Sequence, residues 1–381
     1  MHASRSMIRW LACAAAALAL SACGGGGGGS GTTPPAGTVT TGSTTTTATS
    51  TVAATTPYTV AKLVSDTAAG AGAHVDPNLV NAWGVAFNPQ AFVWVTDKGA
   101  NKSTLYDGAG VPQTLVGAIP PGSAGSSGPM GIDYNGGGAF RVTQGFSTST
   151  SIFIFAGEAG TISGWSPVVN GTNAVTVIDD GAAGNVYTGL ALTATFDRLF
   201  AADFRHGHMT VFDSTFARLT PPGFDDQNVP VGFAPYGVQV IGGTVYVAYA
   251  RADATQRAAQ AGAGLGFIDT FTTSGVFIKR LVANGGALNA PWGMAMAPAN
   301  FGTFSNALLV SNAGDGRINA FDPATGALLG TLADANGPLV IDGLHGIAFG
   351  NDLNAQPSNT LFFAAGPSGG THGIYGRIDS R

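Results

Sequence analysis

Two histidines separated by one glycine, His206-Gly207-His208, follow Asp203 by three residues. An i, i+2 spacing puts two imidazoles on one side of an extended strand, and a nearby carboxylate completes a donor set that Zn²⁺ or Cu²⁺ would accept. The same residues also suit a polar turn in which both rings face water. A second set, Asp97, Asp203 and Asn312, recurs at the ends of three apolar runs. Such oxygen donors could hold Ca²⁺, and they equally serve as acceptors that cap the following turn. Asp179-Asp180 and Asp225-Asp226 read as solvated loop pairs. The chain contains no zinc-protease helix, phosphate loop or paired-cysteine motif, and no catalytic residue is assigned.

The elements that would position these residues follow from a repeated phrase. Trp83-Gly84, Met130-Gly131, Thr188-Gly189, Tyr236-Gly237, Trp292-Gly293 and His345-Gly346 each open a short apolar strand, at Gly-to-Gly spacings of 47, 58, 48, 56 and 53 residues. Each phrase is followed by an alternating apolar strand, a Gly-rich turn, a third strand and a more polar fourth. Four strands on a period near 50 residues make a propeller blade. The expected fold is therefore all-β: a six-bladed β-propeller with four-stranded blades. The sixth unit stops at Arg381 without a fourth strand, and the spare strand is at the other end, Tyr58 to Val64. It should close the ring by pairing into the last blade, which leaves no open sheet edge.

In such a ring the residues before the glycines converge on the axis. Trp83, Met130, Tyr236, Trp292 and His345 are thus a candidate ligand mouth, in which rings would stack on a sugar or another flat face. The alternative is that they pack the narrow axis. Residues 251–261 form the one run of good helix formers after the leader; it lengthens a loop of the fourth blade, as a lid or as a solvated excursion.

Composition agrees with a loop-rich β surface. Acidic residues are Asp apart from Glu158, and there are only four Lys, whereas exposed helices favour Glu and Lys. A formal charge of -5 excludes a basic nucleic-acid face, and a monomer is expected. Residues 1–22 read as a signal peptide: Arg5 and Arg9 precede an apolar run too short to anchor in a bilayer. Residues 23–57 are Gly- and then Thr/Ser-rich and read as a disordered tether, with the propeller over 58–381.

Four resemblances add to this reading. Leu20-Ser21-Ala22-Cys23 resembles a bacterial lipobox, which implies lipidation of Cys23 and attachment to a membrane, the outer one in a Gram-negative cell because Gly24 is not Asp. An ordinary cleaved signal ending at Ala22 is the alternative. Asn81 to Phe87, Val95 to Gly99, Ser103 to Gly108, Tyr249 to Arg251 and Gly266 to Asp269 resemble an uncharacterised bacterial family of exported six-bladed propellers. The Pro-x-Gly-Met-Ala strand and Ser311 to Ile318 are similar to NHL repeats, and more distantly the ring is similar to gluconolactonase-type propellers. That last likeness implies metal ligands at or next to the residue before each inner Gly, and none of the six residues at that position is a carboxylate. The expectation is a lipid-anchored extracytoplasmic binding module with a protein or glycan partner. The alternative is a metal-assisted hydrolase of the lactonase type using Ca or Zn, with Asp203, His206 and His208 as the metal candidates.

Overall fold

The computed structural model describes residues 57–381; the expected leader, Cys23 and the tether as far as residue 56 lie outside them. Six antiparallel sheets stand around one axis. Their inner strands are Ala82–Phe87, Pro129–Tyr134, Tyr187–Leu192, Phe233–Ile241, Pro291–Met296 and Leu344–Phe349. Each inner strand packs against the next, and the sixth packs against the first, so the ring is closed.

The repeated glycine has a steric cause. A Cβ on Gly84 would lie 2.5 Å from the carbonyl oxygen of Met130, one on Gly237 2.0 Å from that of Trp292, and one on Gly346 2.4 Å from that of Trp83. Neighbouring inner strands approach so closely that no side chain fits between them. The residues just after the glycines, Val85, Ile132, Leu190, Val238, Met294 and Ile347, line an axial cavity of only about 30 Å³. A space of that size holds no more than a few waters, and Gln239 and strand backbone line it beside the apolar side chains.

Most of the core lies between blades. Trp94, Phe153, Phe155 and Trp165 pack between the first and second blades. Tyr58, Phe301, Phe304, Leu344 and Phe363 pack where the fifth meets the sixth. Tyr58 belongs to the strand Tyr58–Ser65, which pairs antiparallel with Ile374–Ser380 and completes the last blade as expected. Its buried hydroxyl donates to Phe301 O at 2.9 Å and accepts from Phe304 N at 3.1 Å, so the closing strand is fastened to the neighbouring blade as well as to its own.

Hydroxyls link alternate interfaces. Thr96 Oγ1 accepts from Gly84 N at 2.7 Å and donates to Met130 O, joining the first blade to the second. Ser311 Oγ accepts from Gly293 N at 2.9 Å and donates to His345 O, joining the fifth to the sixth. Thr188 Oγ1 donates to Tyr236 O at 2.8 Å, joining the third to the fourth.

Two strand features and one acidic pair depart from the sequence expectation, and the run at 251–261 is a loop as expected. The third blade has three full strands, and its outer edge is reduced to the bridge Phe212↔Arg218. The second blade carries an extra hairpin, Arg141–Gln144 with Ser147–Thr150, with Phe146 fully exposed at its tip. The helix-former run makes no helix. Asp253 Oδ1 accepts from Thr255 N, Arg257 N and Ala258 N, and Ala252 bridges to Ala259, so a local acceptor organises a turn that wins over propensity. Of the two acidic pairs read as solvated, Asp226 is buried and ion-paired with Arg280, which also holds Asp269 at 2.9 Å. Burial pushes the Asp269 carboxyl up to about 6 against the opposing pull of Arg280.

Candidate functional site

The five mouth residues come together where the inner strands begin. Trp83, Met130 and Tyr236 join Phe204, Ala234, Ala250 and Ala290 in one buried cluster, with Trp292 against its edge. His345 stacks on Trp83 with ring centroids 3.5 Å apart, and Trp292 stands edge-on to both rings at 6.2 and 6.5 Å. Trp292 Nε1 donates to Thr188 O at 2.9 Å, spanning from the fifth blade to the third. The result is an aromatic plug across the axis. Its rings pack chiefly on one another, so a ligand reaching this face meets the groups around the plug before the rings within it.

Those groups are charged. The turn after the second strand of the first blade carries Lys98, whose Nζ lies 4.9 Å above the Trp83 ring and 2.7 Å from Glu158 Oε2 of the second blade. From the fourth blade, the loop organised by Asp253 lays Ala252 and Ala259 against the plug. Its Arg257 reaches Glu158, with Nη2 3.3 Å from the carbonyl oxygen and 3.5 Å from Oε1. Lys98, Glu158 and Arg257, with Asn81, Asn101, Ser126 and Gly128, line a cleft of about 340 Å³ beside the axis.

The electrostatics of the floor follow from burial. His345 is pushed down to about 3, first by desolvation and then by the positive charge of Lys98, so its imidazole is neutral at neutral pH. The Tyr236 hydroxyl is raised by burial and further by the Glu158 charge. His345 Nδ1 and Trp83 Nε1 are buried without a hydrogen-bond partner, as is Asn81 Oδ1. Unpaired buried polar atoms are uncommon, and three of them lie in or beside this plug.

The metal candidates also meet in space, at a different place. His206 Nδ1 lies 2.8 Å and His208 Nε2 3.8 Å from Asp203 Oδ2, with the two rings 5.9 Å apart. Both Asp203 oxygens are already engaged: Oδ2 accepts from Asn185 Nδ2 at 2.6 Å and Oδ1 from Val186 N at 3.2 Å. Among the described residues no group of three His, Cys, Asp or Glu has metal-holding geometry. Asn312 plays the part of Asp203 in the fifth blade, accepting from Asn289 N and donating to Ala287 O. Asp97 accepts from Thr104 Oγ1 at 3.2 Å, and burial raises its carboxyl well above the usual range. Asp203 and Asn312 therefore reach back to the segment entering the inner strand, in addition to the forward contact from His206 N to Asp203.

Sequence reasoning missed Lys98, Glu158, Arg257 and Phe204. Register held a signal for two of them. Lys98 and Glu158 each stand two residues beyond the one facing the inner glycine, Thr96 and Ala156 respectively, and so must emerge on the same face.

No family model matches the chain. Two uncharacterized proteins of Acanthamoeba polyphaga mimivirus are similar over most of its length. R648 is 35% identical over 334 residues, covering 85% of this chain and 81% of that protein. L690 is 33% identical over 313 residues, covering 80% and 82%. The chain belongs to their family. Among solved structures it shares the propeller fold with a catalytically inactive virginiamycin B lyase from Staphylococcus aureus with quinupristin, at 13% identity, a TM-score of 0.49 and coverage of 79% and 80%. A streptogramin B lyase matches at 12% identity and a TM-score of 0.46, over 85% of this chain and 98% of that one. These last two likenesses concern fold.

Proposed function

We propose that the chain is an exported, lipid-anchored propeller that binds a partner or glycan on the face where its inner strands begin. The observation that supports this reading is the cleft over the aromatic plug. Charged groups from turns that follow strands of the first and second blades and from a loop of the fourth converge there, with amides beside them, as specific binding sites require. Anchoring through Cys23, at the outer membrane of a Gram-negative cell, rests on the lipobox resemblance, and the tether would hold the ring clear of the headgroups. Metabolic labelling with a fatty acid tests the anchor. Label should enter the wild type and not Cys23→Ala, and label retained in the variant would remove the anchor from the account.

A second reading, metal-assisted hydrolysis, draws on the two imidazoles beside Asp203. It ranks lower because the Asp203 oxygens are engaged by Asn185 and Val186, and a metal would have to displace them. Metal analysis of the purified protein decides the ranking: one zinc or calcium per chain, lost in His206→Ala, would reverse it.

A further inference from the structure

The cleft beside the axis is net positive on an acidic chain. Lys98 and Arg257 supply two cations and Glu158 one carboxylate, so the cleft is net positive by one on a chain of formal charge -5. Each of the three keeps between a fifth and two fifths of its side chain exposed, so a ligand from solvent reaches them and would share the two cations with Glu158, which pairs with both. Asn101 uses its Oδ1 to accept from Gly128 N at 2.9 Å, and Asn81 lines the same wall. The lining is thus one ammonium, one guanidinium, one carboxylate and two amides. Planar groups of this kind pair with vicinal hydroxyls, and the paired cations take a carboxylate.

We infer that this cleft binds a carboxylate-bearing sugar, a uronic-acid residue within a saccharide chain, with Lys98 and Arg257 on the carboxylate and Glu158, Asn81 and Asn101 on the hydroxyls. The inference rests on the binding-module reading and gives it a ligand class. The Trp83 ring is not the stacking platform in this arrangement, since His345 covers it at 3.5 Å and Lys98 stands over it at 4.9 Å. Specificity comes from the charged rim, and it discriminates the acid from its neutral ester because burying an unmatched ionic group is costly. Arg257 rides on the loop that lies against the plug, so occupancy of the cleft also fixes that loop.

Calorimetric titration of the full chain with trigalacturonate and with its fully methyl-esterified form tests the assignment. The acid should bind, the ester should bind at least tenfold more weakly, and Lys98→Met and Arg257→Gln should each weaken the acid at least tenfold with melting unchanged. Binding of the acid should also protect residues 252–260 from limited proteolysis. Equal affinity for acid and ester, or full affinity in both variants, overturns the site assignment and leaves a glycan-binding module standing. Absence of binding to either probe overturns the acidic-saccharide class. The module reading itself falls only if a glycan array and envelope fractions show no binding that depends on this face.

Discussion

The first, third and fifth blades differ from the second, fourth and sixth in the residue that ends the second strand and in sending a hydroxyl to the next blade, and the difference separates what holds the ring from much of what the ring displays. In the first and fifth blades a second-strand hydroxyl, Thr96 or Ser311, crosses to the next blade, whereas in the third blade the inner-strand Thr188 does so and Ala202 faces the glycine; Asp97, Asp203 or Asn312 ends the second strand in all three. In the even blades the residues facing the inner glycine are Ala156, Ala248 and Ala364, followed by Gly157, Tyr249 and Ala365. The even blades carry Glu158 and the Arg257 loop, two of the three charged parts of the cleft. Spacing has the same rhythm: Gly84 to Gly189 is 105 residues and Gly189 to Gly293 is 104, more regular than any run of single-blade spacings. A pair of blades is the better repeating unit.

The largest effect that would break this comparison is steric. Gly237→Ala would drive a Cβ to 2.0 Å from Trp292 O, the tightest of the six inner-strand approaches, whereas Gly189→Ala, at the widest, reaches only 3.0 Å from Tyr236 O. Denaturant titration should show a loss of about 3 kcal/mol or more for the first and about 1 kcal/mol for the second. Equal losses would mean that these two interfaces are packed alike.

Removing a crossing hydroxyl comes next. Thr96→Ala leaves Gly84 N and Met130 O without their partner and should cost about 1–3 kcal/mol, and Ser311→Ala should cost a similar amount. Ala364→Ser, placing a hydroxyl in an even blade, should bring no gain. A stabilised A364S protein would show that the alternation carries no structural meaning.

The pH response sharpens the contrast within the even blades themselves. His345 has a folded pKa of about 3, below the ordinary value of 6.5, so its contribution is present above 6.5 and is lost as pH falls towards 3. Asp133 runs the other way. Its carboxylate accepts from Leu192 N at 2.7 Å, burial pushes it up to about 6, and its contribution is present below about 4 and lost as pH rises through 6. Melting curves from pH 4 to 7 should therefore change slope in opposite directions in His345→Gln and Asp133→Asn. A shared slope would contradict the burial assigned to one of them.

The smallest expected effect is on the display side. Glu158→Gln loosens the Lys98 and Arg257 contacts at the surface and should change stability by less than about 1 kcal/mol. A larger loss would make Glu158 part of the frame.

Much of the frame was legible because it is periodic. The six glycines, the strand alternation and the orphan strand at Tyr58 each report a constraint that repeats or must be completed, and ring closure follows from them. What was not legible depends on contacts that lack a period. The Thr- and Ser-rich hairpin from Arg141 to Thr150 buries little, so it gives no apolar pattern. The run after Arg251 has helix-forming composition, but Asp253 captures three backbone amides and turns it instead. The mouth residues were legible as a convergent set, whereas their mutual packing is a matter of ring size and approach distance. Lys98, Glu158 and Arg257 are separated by up to 159 residues and meet only because the first, second and fourth blades share one face.

Hydrogen exchange of the full chain with and without trigalacturonate tests the central claim, that this face is where the propeller binds. Protection confined to residues 98–101, 124–128 and 252–260 is the result expected. Protection at the His206 turn or at the Phe146 hairpin, with those three segments unchanged, would contradict it.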